Sequence, residues 1–382
     1  MDKSIKKRMP FELTLVVTHH CNLNCIYCYE HNKTNKKRMS FTIAQNTLQH
    51  YLTTGTYDEI KIGFIGGEPL LEFDLIKDIC EWVWSNKWNK KFIFYATTNG
   101  TIMTSEMRNW FTNHRQYFWL TLSLDGTRET HNRNRCNSFD KIDLEFFKIN
   151  WPNQPVKMTI SDSHLDTLAE DVIFIHNKGF EINGCNFAEG IEMIDFDRKI
   201  PIIANQYEKL IDYYLNHPEH EARIFQLPLA ECEFKTKEHK KRCGTGENMA
   251  VIDFDGKIYP CTFFSPVSMD SNQLQNVLNI DFTDINNFID NLCCNDCYIY
   301  PICHGCYGDN YVITGKMASR SKQKCELNKL KAVAVAKFQA QYLLRELNKT
   351  NEISIKAKRS IIAIQKINEL FVGNQCDLNS PK

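Results

Sequence analysis

Apolar positions in the first half of the chain fall into six short runs, each rich in β-branched or aromatic residues. ELTLVVT (12–18), KIGFIG (61–66), KFIFYATT (91–98), YFWLTLSL (117–124), PVKMTIS (155–161) and INGCNFAE (182–189) predict β-strands. Their near-continuous apolar character is that of strands covered on both faces. Between them lie stretches of helical length, among them FTIAQNTLQHYL (41–52), LLEFDLIKDICEWVW (70–84) and LDTLAEDVIFIHNKG (165–179). His176 and Lys178 ahead of Gly179 mark a helix C-terminus. Six βα units in succession imply an α/β fold with a parallel sheet, and their regular repeat favours a full or partial (β/α) barrel. A doubly wound open sheet is the alternative, because periodicity carries no strand order.

The pattern then changes. Residues 200–240 read as helical and then irregular. Residues 243–325 are cysteine-rich and punctuated by Gly, Pro, Asn and Asp, the profile of a small metal-stapled domain. From Glu326 the chain turns helical again, through LNKLKAVAVAKFQAQYLLREL and ISIKAKRSIIAIQKINELF. The expected organisation is an α/β barrel over 11–200, a bridging region over 201–242, a metal domain over 243–325 and C-terminal helices over 326–372. No internal repeat or low-complexity segment stands out.

Composition narrows the function. Lys plus Arg and Asp plus Glu both number 46, so no global field favours nucleic acid or an anionic membrane. The basic N-terminus is followed by no apolar signal region, and no run reaches the ~18 apolar residues of a membrane span. A cytoplasmic protein with no membrane or nucleic-acid partner is expected. Sixteen cysteines in such a chain would stay free thiols unless metal takes them.

The segment THHCNLNCIYCYE sets Cys21, Cys25 and Cys28 in a C-x3-C-x2-C array just after the first strand. Three thiolates in one loop can hold three irons of a cubane and leave the fourth without a protein ligand, the open position that metal-centred chemistry needs. A zinc site would normally want four ligands, and the nearest further cysteine is Cys80. His19 and His20 are either extra ligands or polar structural groups.

This array, with the aromatic Tyr27 before its last cysteine, resembles the signature of the radical S-adenosylmethionine superfamily. The resemblance implies a partial (β/α)6 barrel and a [4Fe-4S] cluster whose open iron chelates S-adenosylmethionine. Reductive cleavage would then give a 5′-deoxyadenosyl radical that abstracts a substrate hydrogen. Gly66-Gly67-Glu68-Pro69 resembles the GGEP motif that lines the methionine amino group; two glycines permit close backbone approach, and a carboxylate suits an ammonium. SLDGTRETHNRNR (123–135) resembles the family's SxDG…R segment, which implies ribose contact for Ser123 and methionine-carboxylate contact for Arg135. Asn99, in TTNG, joins them at the strand ends that form the active face of such barrels.

Downstream, Cys243, Gly256 and Cys261 precede Cys294-x2-Cys297-x5-Cys303-x2-Cys306 and then Cys325. Zinc and iron–sulfur both suit such sulfur sets. The arrangement resembles the SPASM extension of radical enzymes, with x2 in place of x3 in the last pair. By that resemblance Cys243, Cys261 and Cys306 bind one auxiliary cluster and Cys294, Cys297, Cys303 and Cys325 another, for three [4Fe-4S] clusters in all. Cys232 is a candidate fourth ligand of the first, Cys293 competes in register with Cys294, and Cys80, Cys136, Cys185 and Cys376 read as ordinary thiols.

Enzymes with this extension mostly modify peptides or proteins. The resemblance implies a precursor-peptide substrate, an electron donor such as flavodoxin or ferredoxin, and crosslinking or epimerisation. A sulfatase-maturing branch carries an acid after the position of Cys261, where this chain has Thr262; a small-molecule substrate is a third reading. With the first strand near residue 12, leader recognition would fall to a separate protein, the barrel mouth or the C-terminal helices. Residues 326–371 carry nine Lys/Arg against four Glu, which is either a solvated helix face or a surface for an acidic leader. The competing class is a non-enzymatic metal-binding module. No general base or radical quencher is singled out.

Overall fold

The computed structural model describes residues 10–30, 33, 35–233, 241, 243–289, 294, 297–303, 305–347 and 354–373. Cys293 and Cys376 lie outside them. The six apolar runs form β1 (Phe11–Thr18), β2 (Glu59–Gly66), β3 (Lys91–Thr98), β4 (Phe118–Leu122), β5 (Val156–Ile160) and β6 (Ile182–Phe187). β1 to β4 are parallel and lie in the order β4-β3-β2-β1, with Leu13 beside Ile62, Ile62 beside Phe94 and Phe94 beside Phe118. β5 continues past β4: Ser123 bridges Lys157 in parallel, and the Leu124 N–H donates to the Lys157 carbonyl at 3.0 Å. β6 pairs with β5, the strand at which the chain divides into two compact units. From β1 to β6 consecutive strands are neighbours and the order does not reverse, the succession of a partial barrel; a doubly wound sheet requires a reversal.

The first unit comprises residues 1–158, 178–180 and 243–284. β2 to β4 alternate, whereas β1 is buried on both faces. Ile60, Ile62 and Phe64, Phe94 and Ala96, and Phe118, Leu120 and Leu122 point under the helices and are buried. Phe64, Phe94 and Phe118 stack across three strands at 5.7 and 6.3 Å between ring centroids. Phe111 of the helix Ser105–His114 closes over Phe118 at 5.2 Å. Each such ring, once buried, contributes about 1.5–3 kcal/mol of transfer free energy.

The opposite, inner face carries Thr14, Tyr95, Thr121 and the half-exposed Trp119. The Tyr95 ring lies so close over Gly63 that a Cβ there would stand 2.5 Å from it. The expectation of strands covered on both faces holds for β1 and fails at β3 and β4, whose inner-face residues Tyr95, Trp119 and Thr121 are only partly covered.

The helix Phe41–Thr53 shows how the outer layer is specified locally. Ser40 accepts the Ile43 N–H at 3.3 Å as N-cap, and Ala44, Leu48 and Leu52 recur every four residues as the buried stripe.

The divisions at 200, 242 and 325 drawn from composition do not coincide with the compact units. Residues 249–259 form a hairpin, β7 (Met249–Ile252) and β8 (Ile258–Tyr259), and β7 runs parallel along the free edge of β1, with Leu13 beside Ala250 and Leu15 beside Ile252. Backbone pairing therefore assigns 243–284 to the barrel unit, although in composition this stretch is of a piece with residues 285–325.

The second unit comprises 159–177, 181–242 and 285–382. It is largely helical, with Leu168–Asn177, Phe196–Asn216, Lys322–Leu347 and Ile355–Asn368 as its main helices. Phe225 stacks on Phe338 at 5.2 Å, and Gln339 donates to the Leu227 carbonyl at 2.8 Å. No helix among the described residues is long and apolar enough to cross a membrane.

Candidate active site and cysteine clusters

Cys21, Cys25 and Cys28 lie in the loop that leaves the C-terminal end of β1. The loop is held by backbone bonds. Cys28 N–H donates to the Cys25 carbonyl at 3.2 Å, and Ile26 N–H to the Asn134 carbonyl at 3.0 Å. The end of β2 packs directly beneath it: Gly67 N–H donates to the Thr18 carbonyl at 3.2 Å and Glu68 N–H to the His20 carbonyl at 2.9 Å. A Cβ at Gly66, whose φ is +155°, would stand 1.9 Å from the Thr18 oxygen, and one at Gly67 would stand 2.6 Å from Cys21 Cβ. The two glycines are there because the cysteine loop passes over them.

Both oxygens of the Glu68 carboxylate accept hydrogen bonds. One oxygen accepts the Leu70 N–H at 3.0 Å and the Thr98 hydroxyl at 2.8 Å, and the other accepts the Asn99 N–H at 2.8 Å. Burial pushes its carboxyl up to about 7. Glu68 thus fastens the end of β2 to the end of β3. Asn99 extends the fastening, donating to Asn22 inside the cysteine loop at 2.9 Å. His19 is also a tie: its Nε2 lies 2.7 Å from Asp253 Oδ1 in the β7–β8 turn.

A second network closes the site. Tyr27 donates its hydroxyl to Asp125 Oδ2 at 2.5 Å. Arg135 grips the same carboxylate with Nε at 2.9 Å and Nη2 at 3.1 Å, and its guanidinium stands 5.4 Å from the Tyr27 ring centroid. Asn134 donates to Asp125 at 3.2 Å. Burial alone would raise the Asp125 carboxyl, but the Arg135 guanidinium and the donated hydrogen bonds hold it below the usual range. His131, whose Nδ1 accepts the Asp125 N–H at 3.4 Å, is pushed down to about 4 by burial and by Arg135.

The sequence marks Tyr27, Ser123 and Arg135 but assigns no role to Asp125 inside SLDG. Its signal was a carboxylate ten residues before an arginine. Ser123 is buried at the end of β4, its N–H donating to the Thr98 carbonyl at 2.9 Å. Glu30, whose carboxyl burial pushes up to about 8, also escaped notice; it lies within electrostatic reach of Lys33, Lys157 and Glu68.

The thiols fit a metal cluster. Burial pushes Cys21 up to about 12 and raises Cys25, so their thiolates are favoured only with positive charge brought against them. The Lys33 ammonium lies beside all three thiols; its Nζ is buried and makes no hydrogen bond to oxygen or nitrogen. A cation so placed balances an anionic thiolate-bound group.

In the second unit Cys294, Cys297, Cys303 and Cys325 gather close enough to act on one another's charge. Arg320 stands among them, with Nη1 3.9 Å from Cys294 Sγ and Nη2 donating to the Cys303 carbonyl at 3.2 Å. Burial disfavours its charge, but the neighbouring cysteines more than offset this and raise its pKa. Its Nε is buried without a partner. Four sulfurs around a buried cation again suit an anionic cluster.

Of the other assigned cysteines, Cys261 is pushed up to about 11 by burial and interacts with Cys243 in the first unit. Tyr29 stacks on Phe263 at 4.9 Å, two residues past Cys261. Cys306 belongs to the second unit, where it caps the helix Tyr307–Thr314 and accepts the Asp309 N–H at 3.5 Å. Cys232 is in the second unit also, in the turn Leu229–Glu233 near Tyr298.

Comparison with known proteins agrees with this geometry. The family model for a 4Fe-4S single cluster domain matches residues 12–139. The cysteine-type anaerobic sulfatase-maturating enzyme of Clostridium novyi is 25% identical over 339 residues, covering 75% of this chain and 85% of that protein. The antilisterial bacteriocin subtilosin biosynthesis protein AlbA of Bacillus subtilis is 25% identical over 270 residues, and the chain spans 56% of its length. Among solved structures, native anSMEcpe with bound AdoMet and Kp18Cys peptide superposes with a TM-score of 0.66 at 18% identity, over 90% of this chain and all of that one. Cysteine spacing, strand-end motifs, fold and relatives point the same way: the chain is similar to radical S-adenosylmethionine maturases of the SPASM type.

Proposed function

We propose that the chain abstracts hydrogen from a side chain of a precursor peptide or protein and so installs a crosslink or related modification. The observation that carries this reading is the three-thiol loop seated on Gly66-Gly67 and flanked by the Tyr27–Asp125–Arg135 network, all at C-terminal strand ends of an open-faced partial barrel. Cys21, Cys25 and Cys28 would hold a [4Fe-4S] cluster. With S-adenosylmethionine bound there, the pair supplies a 5′-deoxyadenosyl radical on one-electron reduction by a donor such as flavodoxin or ferredoxin.

The chain's own residues do the rest. Backbone of the 66–68 turn and the end of β4 at Ser123 bind and orient the cofactor. The grip of Asp125 on Arg135 leaves the remaining guanidinium N–H groups for a carboxylate, in a setting shielded from water. Cys294, Cys297, Cys303 and Cys325 would hold a second cluster, and Cys243, Cys261 and Cys306 a third, with Cys232 as candidate further ligand. Such clusters suit the removal of the electron left when a new bond forms. The reduced thiols these sites need fit the cytoplasm.

A peptide substrate is supported by the two maturase relatives and by the peptide in the anSMEcpe structure. The Clostridium relative favours a second reading, oxidation of a sulfatase Cys or Ser; Thr262 in place of an acid weighs against it. The deciding experiment is anaerobic reconstitution with S-adenosylmethionine and dithionite, with 5′-deoxyadenosine measured by mass spectrometry. Its absence would sink the radical reading. Product formation with a sulfatase peptide, and none with a short peptide encoded beside the gene, would shift the substrate to the second reading.

A further inference from the structure

The second unit holds a group of ligating side chains that involves no cysteine. His176 ends the helix Leu168–Asn177, Glu181 immediately precedes β6, and His220 lies in the turn after the helix Phe196–Asn216. Each offers a ligand atom, and these atoms all lie within 4.8 Å of one another. His220 Nδ1 stands 2.9 Å from Glu181 Oε1, and His176 Nδ1 stands 3.8 Å from Glu181 Oε2. The two imidazoles are stacked, 4.1 Å between centroids and 29° apart in plane.

We propose that His176, Glu181 and His220 form a binding site for a divalent transition-metal ion, with zinc as its reference occupant. Two imidazole nitrogens and one carboxylate oxygen are the donor set of borderline ions such as zinc or ferrous iron; calcium and magnesium take oxygen alone. A hydrogen-bonded pair would need only His220 and Glu181. The structure adds a second imidazole, stacked on the first, with the same nitrogen turned to the other oxygen of the same carboxylate.

The surrounding contacts fit a ligand set. His176 Nε2 lies 3.0 Å from the buried Tyr214 hydroxyl, which fixes the ring with Nδ1 towards Glu181. Metal-binding histidines regularly anchor their second nitrogen this way. Glu181 Oε2 also accepts the Glu221 N–H at 3.3 Å, orienting the carboxylate. Tyr213 lies flat against both rings, with centroids 5.9 Å from His176 and 6.0 Å from His220.

An ion has a way in. The His176 side chain is 0% exposed, but Glu181 is 28% and His220 20% exposed. His220 and Tyr214 also line a cavity of about 720 Å³ in the same unit. Binding would displace the proton now between His220 Nδ1 and Glu181 and would tie together the ends of two helices and the start of β6. It is independent of the cysteine sites and of the substrate assigned above.

The test uses the anaerobically purified, cluster-loaded enzyme, dialysed against zinc sulfate. Zinc K-edge absorption is expected to give a shell of nitrogen and oxygen at about 2.0–2.1 Å. Glu181→Gln and His220→Gln are each expected to weaken zinc binding at least tenfold, and Tyr214→Phe by about tenfold with the shell unchanged. Zinc should also raise the melting temperature of the unmodified chain and not of the two ligand variants. A sulfur shell near 2.3 Å, or zinc affinity unaltered in both ligand variants, would overturn the proposal. Metal-free circular dichroism reports whether the variants fold; should they not, the scattering shell of the unmodified enzyme decides alone.

Discussion

The two best-defined sulfur sites differ in how the chain assembles them. Cys21, Cys25 and Cys28 come from one eight-residue stretch beside β1, and they number three. Cys294, Cys297, Cys303 and Cys325 are spread over 32 residues, the last in the helix Lys322–Leu347, and they number four. Each site has a buried cation against it, Lys33 in one and Arg320 in the other. Three protein thiolates leave an iron for an outside ligand and four do not. The first arrangement suits chemistry on a bound cofactor, the second the holding and passing of an electron. The first is also braced by rigid backbone, the second by a long side chain.

The largest expected effect separates the sites by function. Cys25→Ala should reduce 5′-deoxyadenosine formation to background, whereas Cys303→Ala should cost about four irons per chain and leave the first site's iron in place. Iron analysis and mass spectrometry on both variants check this. Equal loss of iron from the two sites in either variant would erase the distinction.

Next comes the ion pair behind the first site. Asp125→Asn leaves Arg135 charged and buried, and should destabilise the protein by about 3–5 kcal/mol in denaturant titration. Arg320→Gln removes the buried cation itself from beside the cysteines. It should move the midpoint potential of the second site to more negative values while altering stability less.

The third effect is a pH dependence confined to the first site's frame. His131 titrates near 6.5 when unfolded and near 4 in the fold. As pH falls through that window the unfolded chain takes up the proton first, so stability present above pH 6.5 is lost progressively towards pH 4. The loss is on the order of 3 kcal/mol. His131→Gln should flatten that part of the stability curve, and an unchanged slope would remove His131 from the account.

The smallest effect compares glycines. An added Cβ at Gly67 would meet the His20 carbonyl at 2.5 Å, which is backbone and cannot yield; one at Gly305 would meet Arg320 Nε at 2.9 Å, the end of a flexible side chain. Gly67→Ala should cost about 1–3 kcal/mol and lower the iron held at the first site. Gly305→Ala should do neither to a comparable degree. Thermal melts and iron content read both.

Much of the first site was legible in advance because its parts are local. A run such as KFIFYATT is long enough to declare a strand, and β3 spans that stretch, Lys91–Thr98. Glycine pairs and cysteine spacing likewise act over a few residues. The hydrogen bonds that Glu68 takes from Leu70, Thr98 and Asn99 were not legible, since a carboxylate shows no partners in sequence. Nor was the pairing of β7 with β1, because Met249–Ile252 is a four-residue strand embedded in loop-like sequence.

By itself the sequence determined the parallel βα succession, the three-cysteine loop after the first strand and the glycine turn at 66–67. These rest on periodicity, spacing and backbone freedom, which are properties of short segments. Tertiary structure decided what distance hides. It set Asp125 between Tyr27 and Arg135, 98 residues from the former. It also brought Cys325 to Cys297 and Cys303, and turned His176 and His220 onto one carboxylate. Such meetings depend on how whole elements pack, and no local pattern encodes them.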